Sequence, residues 1–334
     1  MCAVATVVET RDSAPRPVGS KLLINEKGEM VGSVSGGCVE SAVALEAATV
    51  IAGGTPILLH YGFIADQAFE VGLPCGGEID VFIEPGPFDA LDADAASDRS
   101  ILFTALDGPE IGRKLLVGPN GVIAGDLPRA LGELAPSVRR SGVLSWRGQR
   151  VFVEMFRSSP RLVIVGASDI AEALAALVST MGWRTICVDA RAASATCARV
   201  PSADELLVDW PDQALYALDA DEETAVIVLV HDEKFVVPAL VAALESPAFY
   251  VGVLGSRRAQ ALWRSQLVSA GVSEEGLARI HGPAGLDIGA ATPTEIAVSI
   301  VAELLAVRCG HAGGFLRAGV GTIHRPAALS PINP

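Results

Sequence analysis

The stretch GSVSGGCVE, residues 32–40, decides how the first part of the chain folds. Its two adjacent glycines let the backbone turn through positive φ and come close to a ligand. The run before them, residues 30–34, is predicted to be a strand. The apolar run after Cys38, which ends at the glycines of residues 53–54, is predicted to be a helix. Cys38 therefore falls in a strand-to-helix turn, where unpaired backbone N–H groups favour a thiolate and attract anions.

A second stretch, GLPCGGE at residues 72–78, also places a cysteine beside a glycine pair and precedes a predicted strand at residues 79–84. We expect the two loops to converge on one pocket. The candidate residues are Ser35, Gly36, Gly37, Cys38, Glu40, Cys75, Gly76, Gly77 and Glu78. The alternative is that both cysteines are small buried residues beside structural turns. A zinc site is disfavoured, because no CxxC or HxxxH spacing supplies further ligands.

Composition narrows the class of protein. The net charge of −14 argues against a general nucleic-acid surface. The six cysteines are widely scattered, which is not a disulfide framework, and no run of roughly 18 to 20 apolar residues is present to cross a membrane. With no secretory signal visible, we predict a cytoplasmic protein with reduced thiols. Because 50% of the residues are hydrophobic, we also predict a homodimer that buries an apolar face.

The 334 residues are enough for two domains. We predict an α/β fold: an N-terminal α+β domain at residues 1–157, a Rossmann-like domain at 158–309 and a mobile tail at 310–334. Residues 88–100 are expected to form a helical linker, followed by several short strands. Beyond residue 160 the strands are continuously apolar and alternate with helices, which indicates a doubly wound parallel sheet. The predicted strands of that sheet are residues 162–165, 185–188, 225–230 and 250–254.

The first strand of the predicted parallel sheet leads into Gly166-Ala-Ser168-Asp-Ile-Ala, at the position of a dinucleotide fingerprint. Asp189 ends the second strand, where an acid binds a ribose hydroxyl. However, Ser168 stands where close approach of a pyrophosphate requires glycine. Two interpretations stay open: nucleotide binding, or an inherited fold with another ligand. Further polar residues at the strand ends, predicted to contact a ligand phosphate or a partner protein unless they form a solvated rim, are Asp232, Arg257 and Asp287.

Five blocks occur in one order along the chain: GSVSGGCVE, GLPCGGEIDVFIEP, LVIVGASDIAEALA, VLGSRRAQALW and HGPAGLDIGAATPTEIAVSIVAELL. Together they resemble the XdhC/CoxI family, accessory factors for molybdenum hydroxylases such as xanthine dehydrogenase and carbon monoxide dehydrogenase. The chain departs from the family pattern at two places. Asp12 stands where the family often has glycine, and Gly-Ala-Ser-Asp stands where many members have Gly-Ala-Gly-His.

The resemblance implies a chaperone that binds the molybdenum cofactor, a molybdopterin, and delivers it, after sulfuration, to a molybdenum hydroxylase apo-enzyme. It implies that Cys38 and Cys75 contact molybdenum or sulfur, with a cysteine desulfurase as a further partner. Such a protein binds the cofactor and transfers it, and is not an enzyme that turns over a substrate. No nucleic-acid partner or membrane span is expected, and peripheral membrane association stays open. The alternatives are an NAD(P)-dependent oxidoreductase built on the second domain, and a scaffold in which the cysteines are dispensable.

Overall fold

The computed structural model describes residues 1–12, 14–62, 77–86, 100–138, 140–156 and 159–319. The chain divides into two compact units, residues 1–157 and 158–318. No helix in these described ranges has the length and apolar character needed to cross a membrane. Most of the predicted linker and of the predicted tail lies outside the described residues, as do Cys75 and Gly76.

The first unit begins with an antiparallel sheet, here called sheet A, in the order β3-β2-β1-β5-β4. Its strands are β1 (Cys2–Arg11), β2 (Lys21–Asn25), β3 (Met30–Gly32), β4 (Ile57–Tyr61) and β5 (Glu78–Gly86). Helix α1 (Glu40–Gly53) covers one face of the sheet through its buried Val43, Ala47 and Val50. The helix ends at Gly54, whose φ of 68° gives the left-handed C-cap that glycine favours.

Strand β3 is shorter than the predicted strand of residues 30–34. Gly32 has a φ of 95°, and a Cβ there would lie 2.3 Å from the carbonyl oxygen of Lys21, so the chain turns away at this residue. Asp12 also has a left-handed φ, 56°. Because glycine adopts that region most easily, the geometry accounts for the glycine that the related family often has at this position.

The strand register brings several chain segments to one end of sheet A. Arg11 at the end of β1 pairs with Glu78 at the start of β5, and Tyr61 at the end of β4 pairs with Ile79. Strand β3 runs parallel to β1, because both are antiparallel to β2. The loop that follows β3 and carries Cys38 therefore heads towards this end, but it leaves the sheet earlier, because Gly32 pairs with Leu22, which lies opposite Ala5 of β1.

The first unit contains a second antiparallel sheet, here called sheet B, in the order β8-β7-β6-β10-β9. Its strands are β6 (Ile101–Ala105), β7 (Lys114–Gly118), β8 (Gly121–Gly125), β9 (Gly142–Trp146) and β10 (Gln149–Met155), with a 3₁₀ helix at Arg129–Ser137. A small apolar cluster joins the two sheets: Val8, Phe82, Leu106 and Phe152. These strands agree with the β-rich character predicted for residues 100–157.

The second unit is a six-stranded parallel sheet in the order β13-β12-β11-β14-β15-β16. The strands are β11 (Arg161–Val165), β12 (Arg184–Val188), β13 (Glu205–Leu207), β14 (Thr224–Val228), β15 (Tyr250–Val253) and β16 (Ile280–His281). The helices are α2 (Asp169–Ser179), α3 (Pro211–Ala217), α4 (Glu233–Glu245), α5 (Arg257–Ser269), α6 (Glu274–Ala278) and α7 (Pro293–Cys309). This strand order is that of the doubly wound dinucleotide-binding fold, and the predicted fold class is confirmed.

Candidate functional site

The loop between β3 and α1 closes around the carboxylate of Glu40. One oxygen of this carboxylate accepts hydrogen bonds from the Ser33 hydroxyl at 2.7 Å, the Val34 N–H at 3.2 Å and the Ser35 N–H at 2.9 Å. The other accepts from the Ser35 hydroxyl and from the Gly37 N–H at 2.9 Å. Burial raises the pKa of Glu40, but the hydrogen bonds from the two serines outweigh it and lower this pKa to about 2.

The two serines of the loop accept the backbone donors that Glu40 does not. The Ser33 hydroxyl accepts from the Gly36 N–H at 2.9 Å. The Ser35 hydroxyl accepts from the N–H groups of Cys38 at 3.0 Å and Val39 at 2.9 Å. The backbone N–H groups of residues 34–39 therefore each have an acceptor inside the loop.

The N–H groups of residues 34–39 are therefore not free to bind an anion, and the Glu40 carboxylate is engaged by its own loop. Contact of Glu40 with a ligand stays a prediction. The loop does present a thiol, because Cys38 is exposed just before the first turn of α1, with Val39 as the N-cap. Gly36 and Gly37 are exposed beside it, with no atom within 4 Å of where a Cβ would be.

The second cysteine loop is described only from its last two residues onward. Gly77 is buried, and Glu78 begins β5. Cys75 and Gly76 lie outside the described residues, so their predicted convergence with Cys38 stays a prediction. Within the described ranges no group of three or more His, Cys, Asp or Glu side chains is placed to hold a metal ion.

In the second unit, the predicted fingerprint forms the turn between β11 and α2. Gly166 has a φ of 110°, and a Cβ there would lie 2.7 Å from Cγ1 of Val230, so close packing requires glycine at this position. Ser168 is the N-cap of α2, and its hydroxyl accepts a hydrogen bond from the Ala171 N–H at 3.2 Å.

Asp189 lies at the end of β12, as predicted, but its carboxylate is already bound. It accepts from the Ala167 N–H at 3.0 Å and, from Arg191, the N–H at 2.9 Å, Nε at 2.8 Å and Nη2 at 2.6 Å. Burial raises the pKa of Asp189, and the hydrogen bonds from Arg191 outweigh it and lower the pKa below its usual value. A ribose hydroxyl would have to compete with these donors, and one N–H of the turn is no longer available to a phosphate.

The other predicted strand-end residues lie at the carboxyl-terminal ends of the strands of the parallel sheet. Asp232 follows β14 and caps α4, with Lys234 Nζ 3.0 Å from its carboxylate. The hydrogen bond from Lys234 lowers the pKa of Asp232. Arg257 begins α5 after β15, and Asp287 follows β16, both of them exposed. The topology therefore places these residues on the same side of the sheet, where its parallel strands end. Their contact with a ligand stays a prediction.

Sequence reasoning missed two polar groups of the first unit. Ser33 was not recognised as part of the loop closure. His60, in an apolar run, forms a 2.6 Å hydrogen bond between its Nδ1 and Oδ1 of Asp80 on the neighbouring strand. The only signal for this pair in the sequence is one polar residue in each of two apolar runs.

The comparison with known proteins agrees with this architecture. The profile described as "XdhC and CoxI family" matches residues 1–62, and the one described as "XdhC Rossmann domain" matches residues 162–304. The molybdenum cofactor insertion chaperone PaoD of Escherichia coli (strain K12) is 32% identical over 305 residues, which are 91% of this chain and 83% of that protein. The chain belongs to the XdhC and CoxI family.

Two further matches extend over nearly the whole chain. A Bacillus subtilis (strain 168) protein, named as a probable subunit of xanthine dehydrogenase, is 28% identical over 315 residues, 91% of this chain and 92% of that protein. A crystal structure described as a xanthine dehydrogenase from Bacillus halodurans has a TM-score of 0.72 and 24% identity, covering 92% of this chain and 91% of that one. At this identity the structural match supports the fold alone. The family membership predicted from the five sequence blocks is therefore confirmed.

Proposed function

We propose that the chain is a chaperone that takes up the molybdenum cofactor and delivers it to a molybdenum hydroxylase of the xanthine dehydrogenase type. The observation that carries this proposal is the Cys38 loop. Its backbone is held by Glu40 and two serines, and it exposes a thiol between open glycines and a helix start. The name of the relative PaoD, an insertion chaperone for the same cofactor, supports the proposal.

The residues present fit one end of the cofactor better than the other. Molybdopterin carries a dithiolene sulfur pair that holds molybdenum, and a phosphate. An exposed thiol suits the molybdenum or sulfur end, which Cys38 would contact when the cofactor is bound. The loop does not suit the phosphate, because its N–H groups are taken. The cofactor would supply the redox-active metal that the client enzyme needs.

This proposal has several finer parts. They are delivery to the apo-enzyme, receipt of sulfur through a cysteine desulfurase, a second contact at Cys75, the homodimer and the cytoplasmic location. The domain limits, 1–157, 158–309 and 310–334, are part of it as well. The oxidoreductase alternative is less favoured, because the Asp189 carboxylate and the Ala167 N–H already bind each other. Without those groups the fingerprint loses both its ribose acceptor and one phosphate donor.

The test is the cofactor content of protein purified from a molybdenum-replete host, measured as pterin fluorescence after acid oxidation. We expect wild-type protein to carry pterin and the Cys38→Ala variant to lose most of it, with unfolding free energy changed by about 1 kcal/mol or less. Cys309→Ala is the matched control, because Cys309 is also exposed but ends α7. Wild-type stoichiometry in a Cys38→Ala, Cys75→Ala double variant would contradict the thiol role.

A further inference from the structure

A histidine–aspartate pair lies at the end of sheet A where β4 stops and β5 begins. His60 and Asp80 are direct cross-strand partners, and the hydrogen bond between Nδ1 and Oδ1 is 2.6 Å long. The Asp80 side chain is 7% exposed and that of His60 is 53% exposed. A carboxylate at Nδ1 accepts the proton of that nitrogen, so in the neutral tautomer that this contact selects the lone pair is on Nε2. His60 therefore presents a hydrogen-bond acceptor to solvent.

Two arginines face the other oxygen of the aspartate. Nη2 of Arg11 and Nη1 of Arg150 each lie 3.7 Å from Oδ2 of Asp80, on the side away from His60. Arg150 comes from β10 in sheet B, so Asp80 is enclosed by both sheets of the first unit. The carboxylate held in this way fixes the orientation of the imidazole.

Gly62 adjoins both His60 and Glu78. A Cβ on Gly62 would lie 3.3 Å from Nε2 of His60, and 3.4 Å from Cγ and 3.8 Å from Oε1 of Glu78. Because the φ of Gly62 is outside the left-handed region, the backbone does not require glycine here. The missing Cβ leaves the two polar atoms facing one narrow space, which a methyl group would fill.

Glu78 is held so that one of its oxygens remains free on this side. Its Oε2 accepts from Nη1 of Arg11 at 3.3 Å, and Arg11 is itself fixed by Glu9 at 2.8 Å. Within the described residues, Oε1 of Glu78 and Nε2 of His60 have no hydrogen-bond partner. Two acceptors thus face one small space, at the end of sheet A towards which the Cys38 loop heads.

Two neighbouring acceptors match a ligand edge with two neighbouring N–H donors. The 2-amino-4-oxopyrimidine ring of a pterin has such an edge, formed by its amino group and the adjacent ring N–H. We propose that His60 Nε2 and Glu78 Oε1 bind the amino-pyrimidinone edge of the pterin, an inference that rests on the proposed function. A metal ion fits less well, because a histidine and a glutamate supply only two ligands.

The experiment compares two free probes by fluorescence titration: pterin, and lumazine, which has a carbonyl oxygen where pterin has the amino group. We expect wild-type protein to bind pterin about tenfold or more tightly than lumazine, because charged hydrogen bonds discriminate strongly. His60→Phe, Glu78→Gln and Gly62→Ala should each lose most of this preference. Glu9→Gln is the control, because Glu9 also binds Arg11 but does not adjoin Gly62.

Each outcome decides the proposal. Equal affinity of the wild-type protein for the two probes overturns it, and so does a preference that survives all three substitutions. Zinc binding that requires His60, in a protein that ignores pterin, overturns it as well. The cofactor content of purified wild-type protein separates this failure from that of the proposed function. Cofactor present without probe discrimination removes only the pterin-edge assignment.

Discussion

Two glycine-bearing turns from a strand into a helix, one in each unit, are closed by acids in different ways. In the first unit, the loop of residues 33–38 is closed by Glu40, which lies in the helix that the loop precedes. In the second unit, the turn at Gly166 is closed by Asp189, which comes from the neighbouring strand β12 and is itself fixed by Arg191. One closure is local in sequence and the other depends on the assembled sheet.

The difference shows what a glycine-rich turn can offer a ligand. Such turns are often interpreted as anion cradles because their N–H groups are free. Here side chains of the chain itself occupy those groups: Glu40 and two serines bind all six N–H groups of residues 34–39 in the first turn, and Asp189 binds one N–H of the second. The first turn keeps a reactive side chain exposed, whereas the second offers Ser168, which caps its helix. Only the first retains a chemically distinctive group for a ligand.

The largest expected effect comes from adding a methyl group to each turn. Gly166→Ala should lower the unfolding free energy by about 3 kcal/mol, because the residue combines a φ of 110° with a Cβ position 2.7 Å from Val230. Gly36→Ala has a φ of 73° and open space, so about 1 kcal/mol is expected. Urea denaturation of both variants measures the two losses, and equal values would refute the difference in packing.

The next effect concerns the Glu40 closure. Its pKa of about 2 lies below the ordinary value of 4.5, so its contribution is complete above about pH 4.5 and is lost as the pH falls towards 2. Glu40→Gln should cost about 2 kcal/mol at pH 7, allowing for solvent screening, because the amide offers one acceptor oxygen instead of two.

Unfolding measured at several pH values between 2 and 7 tests this assignment. The variant should lose less stability than wild type as the pH falls, because both lack the Glu40 carboxylate in acid. Glu46→Gln, an exposed position on the same helix, should follow the wild-type curve. Parallel curves for wild type and Glu40→Gln would show that the loop does not depend on this carboxylate.

The smallest expected effect is on nucleotide binding by the second turn. We predict that NAD and NADP do not saturate the protein up to about 1 mM, since Asp189 and the Ala167 N–H bind each other. Ser168→Gly removes the side chain that would crowd a pyrophosphate, yet it should change this binding less than about twofold and cost a few tenths of a kcal/mol. Calorimetric titration decides the matter. Low-micromolar binding of NAD or NADP by the wild-type protein would support the oxidoreductase alternative. Low-micromolar binding by Ser168→Gly alone would show that steric crowding by the Ser168 side chain is what prevents nucleotide binding.

Much of the fold could be predicted from the sequence because its signals are local. The apolar runs around Leu162, Ile186 and Val226 identify buried parallel strands, and Thr292 followed by Pro293 marks the start of α7. Strands β13 and β16 could not be recognised, because three and two residues carry no periodicity. Their positions follow only from pairing with strands already in place.

The candidate sites were less predictable, because their contacts depend on side-chain direction and register. The spacing of Ser35 and Glu40 was evident, but not that the glutamate folds back onto the loop. Likewise, Glu78 was selected for its place after two glycines, whereas its neighbour His60 appears only when β4 is aligned with β5. Asp189 was placed correctly at its strand end, and its engagement by Arg191 depends on the path of the loop that follows.

The self-contained closure around Glu40 has a consequence for the residence time of a cargo. A loop that satisfies its own backbone keeps its shape when empty, so capture needs no ordering step and its entropy cost is already met during folding. The same closure leaves few main-chain donors with which to hold the guest, and fewer bonds to break means faster departure. For a protein proposed to hand its cargo onward, quick release at the moment of transfer matters as much as capture.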